Sequence, residues 1–456
     1  MFLSLIIPSP GQGQMYRDKI NCNHLAHLTE HIEFEGDSVD IVHIYSDYPS
    51  YAWADAGDEG IACVDDAARA AILYLRYYDY TKDTTNLAKA KPLIKFVRHM
   101  ETDDGMFYNF IRADHSINRE GRTSFKSFGW WGVRALWCFA EGYRAFLTRD
   151  TAFALELKRG IEKTFPHIDS LLYHYRTFRQ IKGFRTPQWL LYESGADVTS
   201  ALVLGLSEYY TVSPDPKVKA YIRKFADGLI AMQNGNMKKF PYGLHRSWEI
   251  IWHMWGNDQT DALARAAVIF HDTRMFRSAE LEAKAFYSRL LIEGFRKEID
   301  VSSKTAITDF DQIAYCVRPM VSGLLRLYDA TRDRTYLTMA GLAASWLFGN
   351  NAAHQIMYDS STGICYDGIR DSSTINKNSG AESTIEALWT LAELAPYPET
   401  RVYLDAVKME KQTDRSREYA LFQTPQHAQT SVVLDFTKGK LRVLEGDESI
   451  RYHRKK

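Results

Sequence analysis

The sequence predicts an all-α protein: an (α/α)6 barrel of six helical hairpins, with short extended or β appendages at both ends. Three observations carry this. The first is a period. Acidic turn residues Asp83, Asp150, Asp215, Asp272, Asp333 and Glu399 succeed one another at spacings of 67, 65, 57, 61 and 66 residues. The second is the apolar stretch before each acid, rich in small residues, as in "AARAAILYLRYY". A helix that is apolar all round is a buried helix. The third is the charged amphipathic stretch after each acid, such as "NLAKAKPLIKFVRHM", which keeps one face in water. Buried first helices and half-exposed second helices imply two concentric rings.

Residues 1–58 read as an N-terminal extension packed on the barrel. The opening "MFLSLIIPSPGQGQ" has an apolar run without a basic segment before it. As the remnant of an export signal it places the protein in the periplasm or outside the cell; otherwise the reading is cytoplasmic. His24, His27 and His31 share one side of an expected amphipathic helix, and their alternative use is a metal site. The alternating segment 39–55 reads as extended chain feeding the barrel mouth, with Trp53 and Asp55 near it.

The toroid spans 59–412. Its inner helices are expected at 65–80, 130–147, 196–210, 259–270, 313–330 and 381–394. Each acid of the period stands where the N-cap of an outer helix belongs. Turns within hairpins are short. Connections between hairpins are long, near 100–128, 168–195, 235–258, 295–311 and 350–380, and long connections in a compact domain are usually functional. All of them lead into inner-helix N-termini, so they share one face. Residues 413–456 form a tail, read as a β-hairpin over "TKGK".

The bulk properties narrow the partners. The net charge is −1 over 456 residues, and no basic block precedes the terminal "RYHRKK". Neither nucleic acid nor a charged membrane surface is favoured, and no stretch has the length of a membrane span. Cys22, Cys63, Cys138, Cys316 and Cys365 are scattered and odd in number, which fits free thiols better than disulfides or zinc. No phosphate-binding, dinucleotide-binding or metal-binding motif occurs, so no cofactor and no metal is expected. The oligomeric state is not legible.

The starts of the inner helices carry the chemistry. They supply Asp65 and Asp66; Trp130 and Trp131; Tyr192, Glu193 and Asp197; Trp255, Asn257, Asp258 and Asp261; Asp309 and Asp311; and Asn378, Glu382 and Glu386. Single acids here serve as helix caps or dipole partners. The set calls for more, because crowded carboxylates repel one another and push a member's pKa up. Carboxylates among aromatics match glycosidic chemistry: rings stack on Trp and Tyr, one carboxylic acid protonates the leaving oxygen, and a second carboxylate acts as base or nucleophile. With Asp65 as the cap, Asp66 points inward and faces Asp258 across the ring, with Glu193 the substitute for either. Asp66, Asp258 and Glu193 are therefore the candidate catalytic residues. Trp53, Asp65, Trp130, Trp131, Tyr192, Trp255, Asn257, Asp261, Asn378 and Glu382 are candidate sugar-binding residues. Tyr242, His245 and Arg246 join them from the polar-aromatic loop 238–256.

The stretch "SWLFGNNAAHQIMYDSSTGICYDGI", together with the later "NKNSGAESTIEAL", resembles the last hairpin of toroidal glycosidase-like domains. The chain thus resembles the six-hairpin glycosidase superfamily over about 60–410. That resemblance implies a carbohydrate substrate, an oligosaccharide or polysaccharide, and carries over no catalytic residue. Glycoside hydrolysis is the first expectation. A polysaccharide lyase or uronate-directed enzyme on the same toroid, and a non-catalytic glycan-binding protein, are the alternatives. A lyase needs several cations at the mouth, whereas the helix starts are dominated by acids.

Overall fold

The six inner helices of the computed structural model, which describes residues 16, 18–413, 416–425 and 428–454, close into a ring. They are Val64–Thr81, Trp130–Phe146, Ala196–Val212, Gln259–Phe270, Val317–Thr331 and Ala381–Leu394. Each packs on the next, and the sixth returns to the first. Small residues make that approach possible. A Cβ at Gly205, in the third helix, would lie 2.9 Å from the Cα of Trp137 in the second. The fifth is entered through a 3-10 turn, Ala314–Cys316.

The outer ring is set by the periodic acids. Asp150, Asp215, Asp272 and Asp333 each accept a backbone N–H as N-caps of Thr151–Lys163, Pro216–Ala231, Thr273–Glu282 and Arg334–Ala344. Asp83 accepts the N–H of Thr85 at 2.9 Å, at the start of Thr85–His99. The sixth repeat departs from the pattern. Glu399 caps no helix; it lies in a short 3-10 helix, Pro398–Tyr403, because a strand already begins at Val407.

The barrel axis is ionic rather than apolar. Below the mouth, Arg76, Arg144, Arg265 and Arg326 interleave with Glu141, Glu208, Asp261 and Glu393. These pairs compensate charges whose burial would otherwise be costly.

The appendages are more β-rich than expected. The helix carrying the histidines stops at Leu28, and Thr29–Phe34 turns back on Asp37–Val42. Glu35 and Gly36 both have positive φ, as a two-residue hairpin turn requires. His31 therefore leaves its helix neighbours and pairs with Asp40. His24 meets the carbonyl of Ser379, and His27 that of Tyr51. A small hairpin, Tyr45–Asp47 with Ala52–Ala54, leads toward the mouth. The expected C-terminal hairpin is half of a four-stranded antiparallel sheet, Val407–Thr413, Arg417–Gln423, Gln429–Asp435 and Lys440–Glu445. It is tied to the toroid by Thr338, which donates to Glu445 at 2.6 Å. The opening run 1–15 lies outside the described residues. No helix among the described residues is long and apolar enough to cross a membrane.

Candidate active site

A cavity of about 420 Å³ opens where the first, fifth and sixth inner helices begin. Its walls include Tyr45, Cys63, Asp65, Asp66, Arg69, Asn109, Tyr315, Asp367, Glu382 and Ser383. The start of the first helix is fixed from outside. Ala62–Cys63 pairs with Phe110–Ile111, and Gly60 passes so close that a Cβ there would lie 2.1 Å from the carbonyl oxygen of Ile111. The N-cap is Cys63, not Asp65. Its sulfur accepts the N–H of Asp66 at 3.5 Å and donates to Asp66 Oδ2 at 3.2 Å. Both acids therefore fall in the first turn, where the helix dipole favours them. At the sixth helix the cap comes from another loop: Asp367 Oδ1 accepts from the Gly380 N–H at 2.8 Å and from the Ser383 hydroxyl at 2.6 Å.

Of the acids expected at the helix starts, Asp65, Asp66, Asp258, Glu382 and Glu386 come together, while Glu193, Asp197, Asp261 and Asp309 are paired elsewhere, and three buried arginines stand among those that gather. Arg69 donates to Asp66 at 2.7 Å, Glu382 at 3.1 Å, Asp65 at 3.2 Å and Glu386 at 3.3 Å. Arg318 grips both oxygens of Asp258, at 2.8 and 3.1 Å, and reaches Glu386 at 2.6 Å. Arg134 lies 3.1 Å from Asp65 and donates to the hydroxyl of Tyr315. Asp66 and Asp258 consequently do not face each other across open space. They end an ionic chain that runs Asp66, Arg69, Glu386, Arg318, Asp258. Asp258 is fully buried, and Asp66 spends both oxygens on Arg69 and Cys63.

Glu382 is placed differently. It sits in the first turn of its helix, sunk among the mouth acids, yet 44 % of its side chain remains open to the cavity. Desolvation pushes its pKa up to about 7, Arg69 opposes this, and the charges of Asp66, Glu386 and Asp65 add to the rise. Burial also raises Asp66 and Asp367. Asp65, a quarter exposed, shares Arg69 with Glu382.

The remaining expected residues divide. Trp130 is half-buried; its ring and the Tyr315 hydroxyl both lie beside Gly256, which has a positive φ. Trp255 stacks on His253 with centroids 4.0 Å apart, and His253 pairs with Asp197 at 2.9 Å. Tyr192 is exposed and its hydroxyl accepts the N–H of Trp130. Asn378 pins the Tyr45 hairpin by bonds to Tyr48 and Asp47. The others lie away from the cavity. Trp131 is core and donates to the Phe107 carbonyl. Glu193 is exposed on Arg179. Trp53 stacks on His43 at 3.7 Å. Tyr242 lies under Arg289, and buried His245 pairs with Glu282. Buried Arg246 is spent on Thr186 and backbone carbonyls. Asn257 is held by Ser247 and Gln259, and Asp261 belongs to the axial ion pairs. The loop 238–256 is thus largely packed on itself and on the fourth outer helix.

Arg69, Arg134 and Arg318 were not singled out by the sequence, nor were Tyr45, Tyr315 and Asp367. A signal existed for the arginines: each stands within the first six residues of an inner helix, directly ahead of a run of small and apolar residues. Arg69 also stands three and four residues from two acids, a spacing that pairs side chains on a helix.

No family model matches the sequence, and no curated protein matches it significantly. Solved structures do. A cellobiose 2-epimerase from Bacillus thermoamylovorans matches over 84% of this chain and 99% of its own, with a TM-score of 0.58 and 12% identity. A D-mannose isomerase matches over 85% and 99%, with 0.58 and 13%. A family 76 glycoside hydrolase from a bovine Bacteroides thetaiotaomicron strain matches over 84% and 77%, with 0.54 and 13%. The chain shares with these structures the (α/α)6 toroid fold. At these identities the likeness is one of fold, and no single family is matched. Among the described residues no group of three or more His, Cys, Asp or Glu is placed to hold a metal.

Proposed function

We propose that this protein is a carbohydrate-active enzyme that moves protons through Glu382 on a neutral oligosaccharide or polysaccharide held in the mouth cavity. The observation that carries the reading is the Glu382 carboxyl, 44 % open to the mouth cavity among acids that are more tightly held, and desolvation with the neighbouring acids pushes its pKa up to about 7. A group with a pKa near the working pH is the efficient general acid or base. Tyr45, 45 % exposed, lines the cavity and offers a ring face and a hydroxyl to a sugar, and half-buried Trp130 lies close to the cavity wall at Tyr315.

In the hydrolytic form, protonated Glu382 gives its proton to the departing glycosidic oxygen. Asp65, across the same guanidinium, acts as base toward water or as nucleophile. A second form, isomerisation or epimerisation of a sugar, has one observation in its favour. The other acids at the mouth are each held through two bonds or ion pairs, whereas Glu382, tied to Arg69, is the most open of them at 44 %, which favours it as the proton carrier. The same pinning counts against a lyase, because the three arginines already have partners that a uronate carboxylate would have to displace.

One experiment separates these. The protein is incubated in D2O with gluco- and manno-oligosaccharides and followed by NMR. Hydrolysis releases new reducing ends; epimerisation or isomerisation through proton abstraction exchanges the C2 proton. Glu382→Gln should lower turnover by about 10²–10⁴ in either form. Turnover that survives this substitution refutes the assignment.

A further inference from the structure

A second cavity, of about 390 Å³, lies between the C-terminal sheet and the loops that lead into the fifth and sixth inner helices. It is separate from the first: Gln312 lines this one, and the next residue, Ile313, lines the other. Its size is in the range of small-molecule sites. Its wall includes Asn350 and Asn351 of the "GNN" stretch, which the mouth does not use.

The charges in it are unevenly satisfied. Three carboxylates line the cavity, and each has a partner. Arg296 holds Asp309 at 2.5 Å and Glu293 at 3.1 Å, and Glu410 accepts from the Tyr419 hydroxyl at 2.8 Å. Lys408 has no carboxylate within ion-pair reach among the described residues. Its ammonium donates there to the carbonyl of Ile292, at 3.1 Å. The register of the strand shifts between Lys408 and Glu410, and such a bulge re-aims a side chain. Lys408 thus lines the cavity together with Lys411, and both Lys411 and Arg296 repel its charge. Burial, with that repulsion added, lowers the Lys408 pKa to about 8. A half-buried ammonium with spare N–H groups and cationic neighbours is partly desolvated, and an anion in the cavity offsets that cost.

We infer that this cavity binds a small organic anion, a carboxylate or a phosphate ester, through Lys408 and Lys411. Phe295 and Phe310 are the apolar wall for its carbon skeleton, and Asn350 stands beside Lys408, accepting its backbone N–H at 3.2 Å. The inference is independent of the reading of the mouth cavity.

Calorimetric titration of the full chain with inorganic phosphate, and separately with gluconate, distinguishes the two sources of negative charge. At least one should bind with a Kd at or below about 5 mM, and Lys408→Met should weaken it by about tenfold or more. Methionine keeps most of the unbranched stem without the charge, and thermal unfolding checks the fold of the variant. A second measurement needs no variant: acylation of Lys408 by acetic anhydride, with peptide mass spectrometry as the readout. The bound anion should slow labelling at Lys408 and leave the exposed Lys304 unchanged. Binding of neither anion, equal binding by the folded Met variant, or unprotected labelling of Lys408 overturns the inference.

Discussion

Replacing Arg318 by Met should be among the most damaging single changes in the barrel. Arg318 is 1 % exposed, and its partners Asp258 and Glu386 are 0 % exposed. Glu386 keeps a second cation, Arg69, at 3.3 Å. Asp258 keeps none within ion-pair reach among the described residues, so one carboxylate is left buried and unpaired. Breaking a buried pair by removing one partner costs about 3–5 kcal/mol. With an unfolding entropy of about 2.1 cal/mol/K per residue, a cooperative chain of this length loses about 1 °C of Tm per kcal/mol, hence about 3–5 °C. The assay is denaturant and thermal unfolding at two pH values. The deficit should be smaller at pH 5 than at pH 8, because an unpaired buried carboxyl is more readily protonated. Adding Asp258→Asn should recover more than half of the loss. A deficit below about 1 kcal/mol, or no recovery in the double variant, would refute the claim that an ionic chain spans the mouth.

Other consequences can be checked separately. Glu382 has a folded pKa near 7, above its ordinary 4.5, so the folded state binds the extra proton between these values. Its contribution is fully present below pH 4.5 and lost as pH rises through 7; Glu382→Gln should flatten that decline, and an unchanged pH profile of unfolding would count against it. Trp131→Ala should cost about 3–5 kcal/mol as a core truncation, whereas Trp130→Ala should keep the fold and weaken oligosaccharide binding in calorimetry. The reverse assignment would mean that the two tryptophans exchange roles. Asp333→Ala removes one exposed cap and should cost about 1 kcal/mol in denaturant unfolding.

The toroid was legible because its signals are local and repeated. An acid recurs at each of the six turns and serves the following outer helix at five of them, and the inner helices are buried all round, the charges they carry being paired with one another along the axis. Observed inner-helix limits coincide with expectation at Gln259–Phe270 and Ala381–Leu394. The sixth outer helix failed because Glu399 continues the period while the chain is already leaving for the C-terminal sheet. The histidine spacing misled for a related reason: "TEHIEF" also alternates in a two-residue period, and the Glu35–Gly36 turn decides for the strand. At the mouth, the acids were visible because they cluster at helix starts. Their state was not, because it depends on distant partners. Arg69 meets Glu382 across 313 residues, and the bond that ties Asp258 comes from the next inner helix. Asp66 and Asp258 looked free in the sequence and are bound in the structure, whereas Glu382 looked like one binding residue among several and has the cavity-facing carboxyl.

The central claim, that the mouth poises one carboxyl for proton transfer near neutrality, can be measured without a substrate. Protein with 13C-labelled glutamate carboxyls is titrated by NMR, and the Glu382 signal is assigned by its absence in Glu382→Gln. The account predicts a midpoint near pH 7 for that resonance. A midpoint near the ordinary 4.5 would contradict it.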